Sequence, residues 1–162
     1  MTSASDPIAT VRKRLVSHGL ADTIVAFGVS THTALDAATA VGCEVDQIAK
    51  SIVFAIGDQP IIIVAAGSKR INKQLVASTI GAALRSVGPD YLRDRLGLEP
   101  GGITPLAVSP ETPCLLDKTL QRFSTIWVSA GTPSQVLSIT PDDLATLTGG
   151  QWIAVSDDEP SS

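Results

Sequence analysis

The chain has 162 residues, 44% of them hydrophobic and 17% charged, which fits a globular chain with a real core and excludes an intrinsically disordered one. Aromatic residues make up only 4%, so the core is mostly aliphatic. A formal charge of −4 excludes a broad basic surface that coats nucleic acid, though not a grip on a strand end.

The opening MTSASDPIATVRKR lacks the apolar stretch of a secretion signal, and the longest apolar run, residues 61–66, is too short to span a bilayer. A cytoplasmic protein with no membrane segment is expected. Residues 8–18 carry apolar side chains at helical spacing, with Gly19 as a stop. Residues 23–27 (TIVAF) read as a short strand. A helix follows, capped by Thr33, with Asp36 as its acidic capping-box partner and Gly42 at its end. Cys43 and, later, Cys114 belong to no motif and read as reduced packing residues.

Residues 50–56 and 61–66 are two apolar strands joined by GDQP, a four-residue hairpin loop of turn formers. Asn72 caps a helix over 73–80 that Gly81 closes, and residues 90–97 form a further short helix. The stretch LEPGGITPLAVSPETP is rich in Gly and Pro without periodicity, and long loops of that kind are often functional. Residues 114–117 and 124–130 read as strands with a short helical link between them, and QVLSIT as another strand. Thr140-Pro141-Asp142-Asp143 starts a helix that Gly149 ends, and WIAV is the last strand. These elements predict one α/β domain with its core over about 8–155 and a flexible tail over 156–162. Its sheet is mixed, because strands outnumber crossover helices and one pair is a hairpin.

Common catalytic signatures are missing. There is no phosphate-loop, dinucleotide or nucleophile-elbow pattern, and no paired cysteines for zinc, so neither a metal nor a cofactor is expected. Of the two histidines, His32 in STHTALD is the better candidate for a Ser-His-Asp arrangement, although a loop histidine before a helix is ordinarily just solvated. The basic groups Arg12-Lys13-Arg14 and Lys69-Arg70 with Lys73 read first as solvated faces.

Three features remain. Lys50 heads an apolar strand and shares a face with Ile52, Phe54 and Ile56, so its ammonium either snorkels to water or serves a ligand. Gly101-Gly102-Ile103-Thr104-Pro105 is either an ordinary turn or a loop whose amides face a developing negative charge. Ser129-Ala130-Gly131-Thr132-Pro133 follows an apolar strand, either as a plain exit or as the small-residue edge of a ligand site.

T-A-x-D-A-A at 33–38, Q-I-A-K-S-I-V-F at 47–54, G-G-I-T-P-L at 101–106, L-L-D at 115–117 and the S-A-G-T-P exit follow one another in a specific order. In this succession, over roughly residues 10–155, the chain resembles the YbaK/ProX family, freestanding relatives of the editing domain inserted in bacterial prolyl-tRNA synthetases. The resemblance implies a barrel-like mixed sheet of six to seven strands surrounded by short helices. It also implies hydrolysis of mischarged aminoacyl-tRNA carrying alanine, cysteine or serine, with tRNA-Pro as one carrier.

The implied partners are the aminoacylated 3′-adenosine of a tRNA acceptor end and an aminoacyl-tRNA synthetase. Lys50 matches the family's essential pocket lysine, residues 101–105 its G-x-x-x-P loop, and Ser129, Ala130 and Gly131 its small-residue exit. In that reading the amides of Gly101, Gly102, Ile103 and Thr104 face the ester carbonyl, and Lys50 holds the terminal phosphate or ribose. Phe27, Ile103 and Pro105 shape the pocket, and Ser129, Gly131 and Thr132 line it. Two departures stand out: Ala107-Val108 where a related pattern continues with glycine, and Thr132-Pro133-Ser134-Gln135 where cysteinyl-editing relatives carry a basic stretch and an aspartate. Two other readings are a module that binds a tRNA end or aminoacyl metabolite without turnover, and an esterase for small aminoacyl esters.

Overall fold

The computed structural model describes residues 6–27 and 33–156, so His32 and residues 157–162 lie outside the described residues. In chain order the elements are α1 (Pro7–Ser17), β1 (Ile24–Ala26), α2 (Ala34–Val41), β2 (Ile48–Ile56), β3 (Gln59–Ala66), α3 (Lys73–Ile80) and β4 (Arg85–Ser86). Then come α4 (Pro89–Tyr91), continued by a wider π turn over Leu92–Leu96, β5 (Cys114–Asp117), β6 (Ile126–Thr132), β7 (Gln135–Ile139), α5 (Pro141–Thr148) and β8 (Gln151–Ile153). The side chains of Thr33, Asn72 and Thr140 accept the amides of Asp36, Leu75 and Asp143, as their sequence positions predict. Gly42, Gly81 and Gly149 take the left-handed conformation that ends each of those helices.

The eight strands form one mixed sheet in the order β1-β7-β6-β2-β3-β5-β8, with β4 paired to β2. β2/β6, β3/β5 and β5/β8 are parallel, and the remaining pairs are antiparallel. The end strands β1 and β8 do not pair with each other, so the sheet is open and not closed into a barrel. The strand absent from the sequence reading is β4, whose two residues are too few to show a period.

The hairpin differs from expectation as well. Ile56 pairs with Gln59, which leaves a two-residue turn of Gly57 and Asp58, with Gly57 at φ 61°. Pro60 is then a strand residue opposite Ala55. That pair is a non-hydrogen-bonded one, so the missing N–H of proline falls on the side away from β2 and costs the hairpin no bond.

The two faces of β2 are covered differently. Ala49 and Val53 belong to the main core, with Val11 and Leu15 of α1, Leu106, Val128, Leu116 and Leu144 of α5. On the opposite face Ile48 packs with Ala37 and Ala38 of α2, whereas Ile52 and Phe54 pack with Val76 of α3. Lys50 falls between those two clusters, at the seam where neither helix covers the strand. Its position there is what lets a cation sit in an otherwise apolar run.

The end of β3 opposite Lys50 is pinned by Asp117, which is 1% exposed. Its Oδ2 accepts the Ala66 amide at 2.9 Å, and its Oδ1 accepts the Thr119 amide and hydroxyl at 2.9 and 2.8 Å. Asp117→Ala leaves a buried strand amide without a partner and is expected to cost about 3 kcal/mol, read as a lower urea midpoint. Ser156, assigned to the tail from sequence, is 3% exposed. No helix of the described residues is long and apolar enough to cross a membrane.

Candidate functional site

The sheet divides beside Lys50. β2 pairs with β6 only through Ile48–Trp127 and Ala49–Val128, and further along with β4 through Phe54–Ser86 and Ala55–Arg85. Between those contacts the outer edge of β2 faces neither strand. β6 turns away because its pairing with β7 shifts register between Ser129 and Thr132, a bulge that bends the strand. Gly131 makes the bend possible: at φ 121° it lies against α1, where an added Cβ would come within 2.6 Å of Pro7 Cβ.

A cavity of about 610 Å³ opens at this division. Its walls are Lys50, Ser51 and Ala49 of β2, Trp127, Ser129 and Thr132 of β6, Thr33 with Ala34, Leu35 and Ala37 of α2, and Gly101 and Ile103. The size is that of a small-molecule site, mostly apolar with a few polar groups. Among the described residues Lys50 is the only charged side chain in these walls.

The two glycine loops meet backbone to backbone. A Cβ on Gly102 would run into the Gly131 carbonyl oxygen and lie 2.9 Å from its carbonyl carbon, and one on Gly101 would meet Pro133 Cγ at 3.1 Å. From below, the Arg14 guanidinium donates to the carbonyls of Pro105 at 3.0 Å and Val108 at 2.6 Å. Arg14 thus anchors the loop and is not a solvated charge, while Arg12 of the same cluster pairs with Asp22 at 2.7 Å.

Lys50 forms no ion pair with any described carboxylate. Burial lowers its pKa below the ordinary lysine value, Arg70 nearby lowers it further, and Asp46 acts in the opposite sense. Asp46 is itself engaged: its Oδ1 accepts the Ser68 amide at 2.8 Å and its Oδ2 sits 3.3 Å from Arg122.

The residues singled out from sequence divide into two groups. Lys50, Gly101, Ile103, Ser129 and Thr132 come together in the cavity walls. Gly102, Thr104, Pro105 and Gly131 stand behind them as packing and turn residues, and Phe27 lies beside Ser134, its amide donating to that carbonyl at 2.8 Å. The row of amides also narrows. Gly102 N–H already donates to Glu99 O at 2.9 Å, and Thr104, 0% exposed and outside the cavity walls, uses its side-chain Oγ1 to accept the Leu106 amide and cap the 3₁₀ turn Pro105–Ala107. Among the described residues the amides of Gly101 and Ile103 have no such partner, and both residues face the cavity. Trp127, Gly67, Val45 and the α2 wall were not found from sequence as site residues, because what marks them is an approach in space and not a local pattern.

A family model described as an aminoacyl-tRNA editing domain matches residues 29–147. The uncharacterized protein YwhH of Bacillus subtilis is 30% identical over 93% of this chain and 98% of its own. A protein of Enterococcus faecalis provisionally named a Cys-tRNA(Pro)/Cys-tRNA(Cys) deacylase is 27% identical over 75% of this chain and 76% of its own. Among solved structures, a protein provisionally described as a trans-editing enzyme for prolyl tRNA synthetase superposes with TM-score 0.86 at 31% identity, over 96% of this chain and 99% of that one.

Proposed function

The chain belongs to the aminoacyl-tRNA editing domain family, and on that premise we propose that it is a deacylase acting in trans. It hydrolyses the ester between a small amino acid (alanine, cysteine or serine) and the 3′-terminal adenosine of a mischarged tRNA, with tRNA-Pro as the carrier that its relatives' names suggest. The observation that carries this reading is that Lys50, Gly101 and Ile103 border one cavity, the last two with backbone amides that hold no described partner. A cation and two backbone donors on one apolar hollow suit a ligand with a phosphate at one end and a carbonyl at the other.

The ester is already labile, so no strong nucleophile is required. A water, positioned by the site or by a hydroxyl of the substrate itself, attacks the carbonyl carbon and passes its proton on to the departing ribose oxygen, and the oxyanion that forms in between is met by the Gly101 and Ile103 N–H groups. Preorganised donors of this kind lower a barrier by about 3 kcal/mol each. Collapse of the adduct releases the ribose oxygen. Lys50 acts as a cation on the terminal phosphate or ribose, which requires only a charge in a fixed place. On this reading the hollow would work as a sieve that takes small side chains and leaves larger cognate ones outside, which is what makes a separate hydrolytic site worthwhile.

The test is a panel of mischarged tRNAs bearing alanine, cysteine and serine, scored for amino acid release with and without prolyl-tRNA synthetase. Release well above the spontaneous rate from at least one member is expected. Tight binding of the tRNA end with no release would favour a non-catalytic binding module instead, and cleavage of free aminoacyl esters at the same rate would favour a small-ester esterase.

A further inference from the structure

Trp127 stands on the same face of the sheet as Lys50. Ile48 and Ala49 of β2 pair with Trp127 and Val128 of β6. Ala49 and Val128 belong to the main core, so Ile48 and Trp127 point to the opposite face, and alternation puts Lys50 and Ser129 there with them. The cover that α2 lays on this face is thin, since Ala37 and Ala38 are the residues packed on Ile48. Trp127 touches that cluster yet stays half-buried, and the cavity runs between it and the side of α2 that carries Ala34, Leu35 and Ala37. Leu35 is 65% exposed, a large apolar side chain left open on the wall across from the indole.

The place of this slot in the site limits what can fill it. Along β6, Ser129 lies two residues beyond Trp127, about 7 Å of strand. The chain then reaches Thr132 and Pro133, beside which Gly101 packs. Trp127 and the glycine loop therefore stand at opposite ends of one run of β6. Lys50 flanks that run from β2, two residues past the Ile48 that pairs with Trp127, so strand spacing and rise set their Cα atoms about 8 Å apart. An aromatic surface at one end, free amides at the other and a cation alongside match the base, acyl ester and phosphate of one nucleotide. Packing on Ala37 and Ala38 accounts for the buried part of Trp127, but not for the part that lines the cavity.

Resting on the deacylase reading above, we propose that Trp127 is the seat of the terminal adenine: the base stacks on the indole, and Leu35 closes over it from α2. Aromatic platforms hold the bases of single-stranded ends in this way, without reading their edges. With the base on Trp127 the ribose lies over Ser129, and the ester reaches the Gly101 and Ile103 amides. The base does not react, so the energy of its contact serves to hold the carbonyl against its donors.

The experiment measures affinity for two probes, a non-hydrolysable 3′-alanyl-amido adenosine 5′-phosphate and the same compound with hydrogen in place of the base. Removing the base is expected to weaken binding to wild type by about 10- to 100-fold, the worth of one stacked base, and to weaken Trp127→Phe comparably. In Trp127→Leu, which keeps apolar bulk against α2 but has no ring, the same removal is expected to cost about threefold or less. A merely structural role would weaken both probes alike in that variant, and such a result overturns the assignment. A second measurement needs no change at Trp127. The chain has two tryptophans, and the other, Trp152, lies on β8 at the far end of the sheet, so Trp152→Phe leaves the Trp127 indole as sole reporter. The probe with the base is expected to quench its emission and the one without the base to leave it nearly unchanged; equal responses, or none, refute stacking. Base-dependent binding with no release of amino acid from any mischarged tRNA would refute the deacylase reading and leave the base seat standing. Release from tRNA with no contribution of the base to binding would refute the seat alone.

Discussion

Lys50→Ala is expected to keep the fold and to slow deacylation of mischarged tRNA by about 100- to 1,000-fold, the loss seen when one preorganised electrostatic contact is removed from an active site. The fold survives because Lys50 contributes little to packing at the seam between the α2 and α3 clusters, and because its charge is disfavoured where it sits. The sign of that second effect can be followed in pH. The folded-state pKa lies below the ordinary 10.5, mainly through burial, with Arg70 adding to it. Between the two values the unfolded chain binds more protons than the folded one, so wild-type stability gains from this residue as pH rises through that window. Lys50→Ala abolishes the gain and relieves the cost at neutral pH, giving a urea midpoint equal to or above that of wild type. A variant that deacylates at the wild-type rate would remove Lys50 from the mechanism.

Gly102→Ala is expected to be the other severe change, by a different route. The added methyl would enter the space of the Gly131 carbonyl, and neither partner can yield, because Gly131 is already pressed against Pro7. The 101–105 loop must lift from the end of β6, carrying the Gly101 and Ile103 amides with it. A displacement of about 1 Å at such donors costs about 100-fold in rate. The strain adds about 1–3 kcal/mol of instability. Binding of the adenosine end should weaken far less, since Lys50 is untouched, so the loss appears in kcat more than in KM. A rise in KM with kcat unchanged would mean that the loop serves binding alone.

Much of the fold was readable in the chain because its signals are local. Thr33, Asn72 and Thr140 each stand before a periodic run, and a glycine stands after it, so local chemistry alone bounds three helices. The apolar run after Lys50 and the turn formers behind it gave the hairpin, though not its length, since Gln59 and Pro60 look like loop residues until the register pairs them with Ile56 and Ala55. β4 escaped notice because two residues have no pattern.

The site was half legible for the same reason. Lys50 announced itself as a charge in an apolar strand, and the glycine loops as loops. What joins them is long-range: the division of the sheet after Ala49, the Gly102–Gly131 contact, and the reach of Arg14 to Pro105 across 91 residues of chain.

The most direct test is an NMR titration with a non-hydrolysable 3′-aminoacyl-amido adenosine 5′-phosphate, following the backbone amides and the Lys50 Nζ resonance. The expected result is that the amides of Gly101 and Ile103 and the Lys50 ammonium shift together, with the Gly102 amide moving little because Glu99 already holds it. Perturbations that cluster elsewhere on the molecule, or that reach Lys50 while leaving Gly101 and Ile103 unmoved, would contradict a shared cavity for the phosphate and the ester.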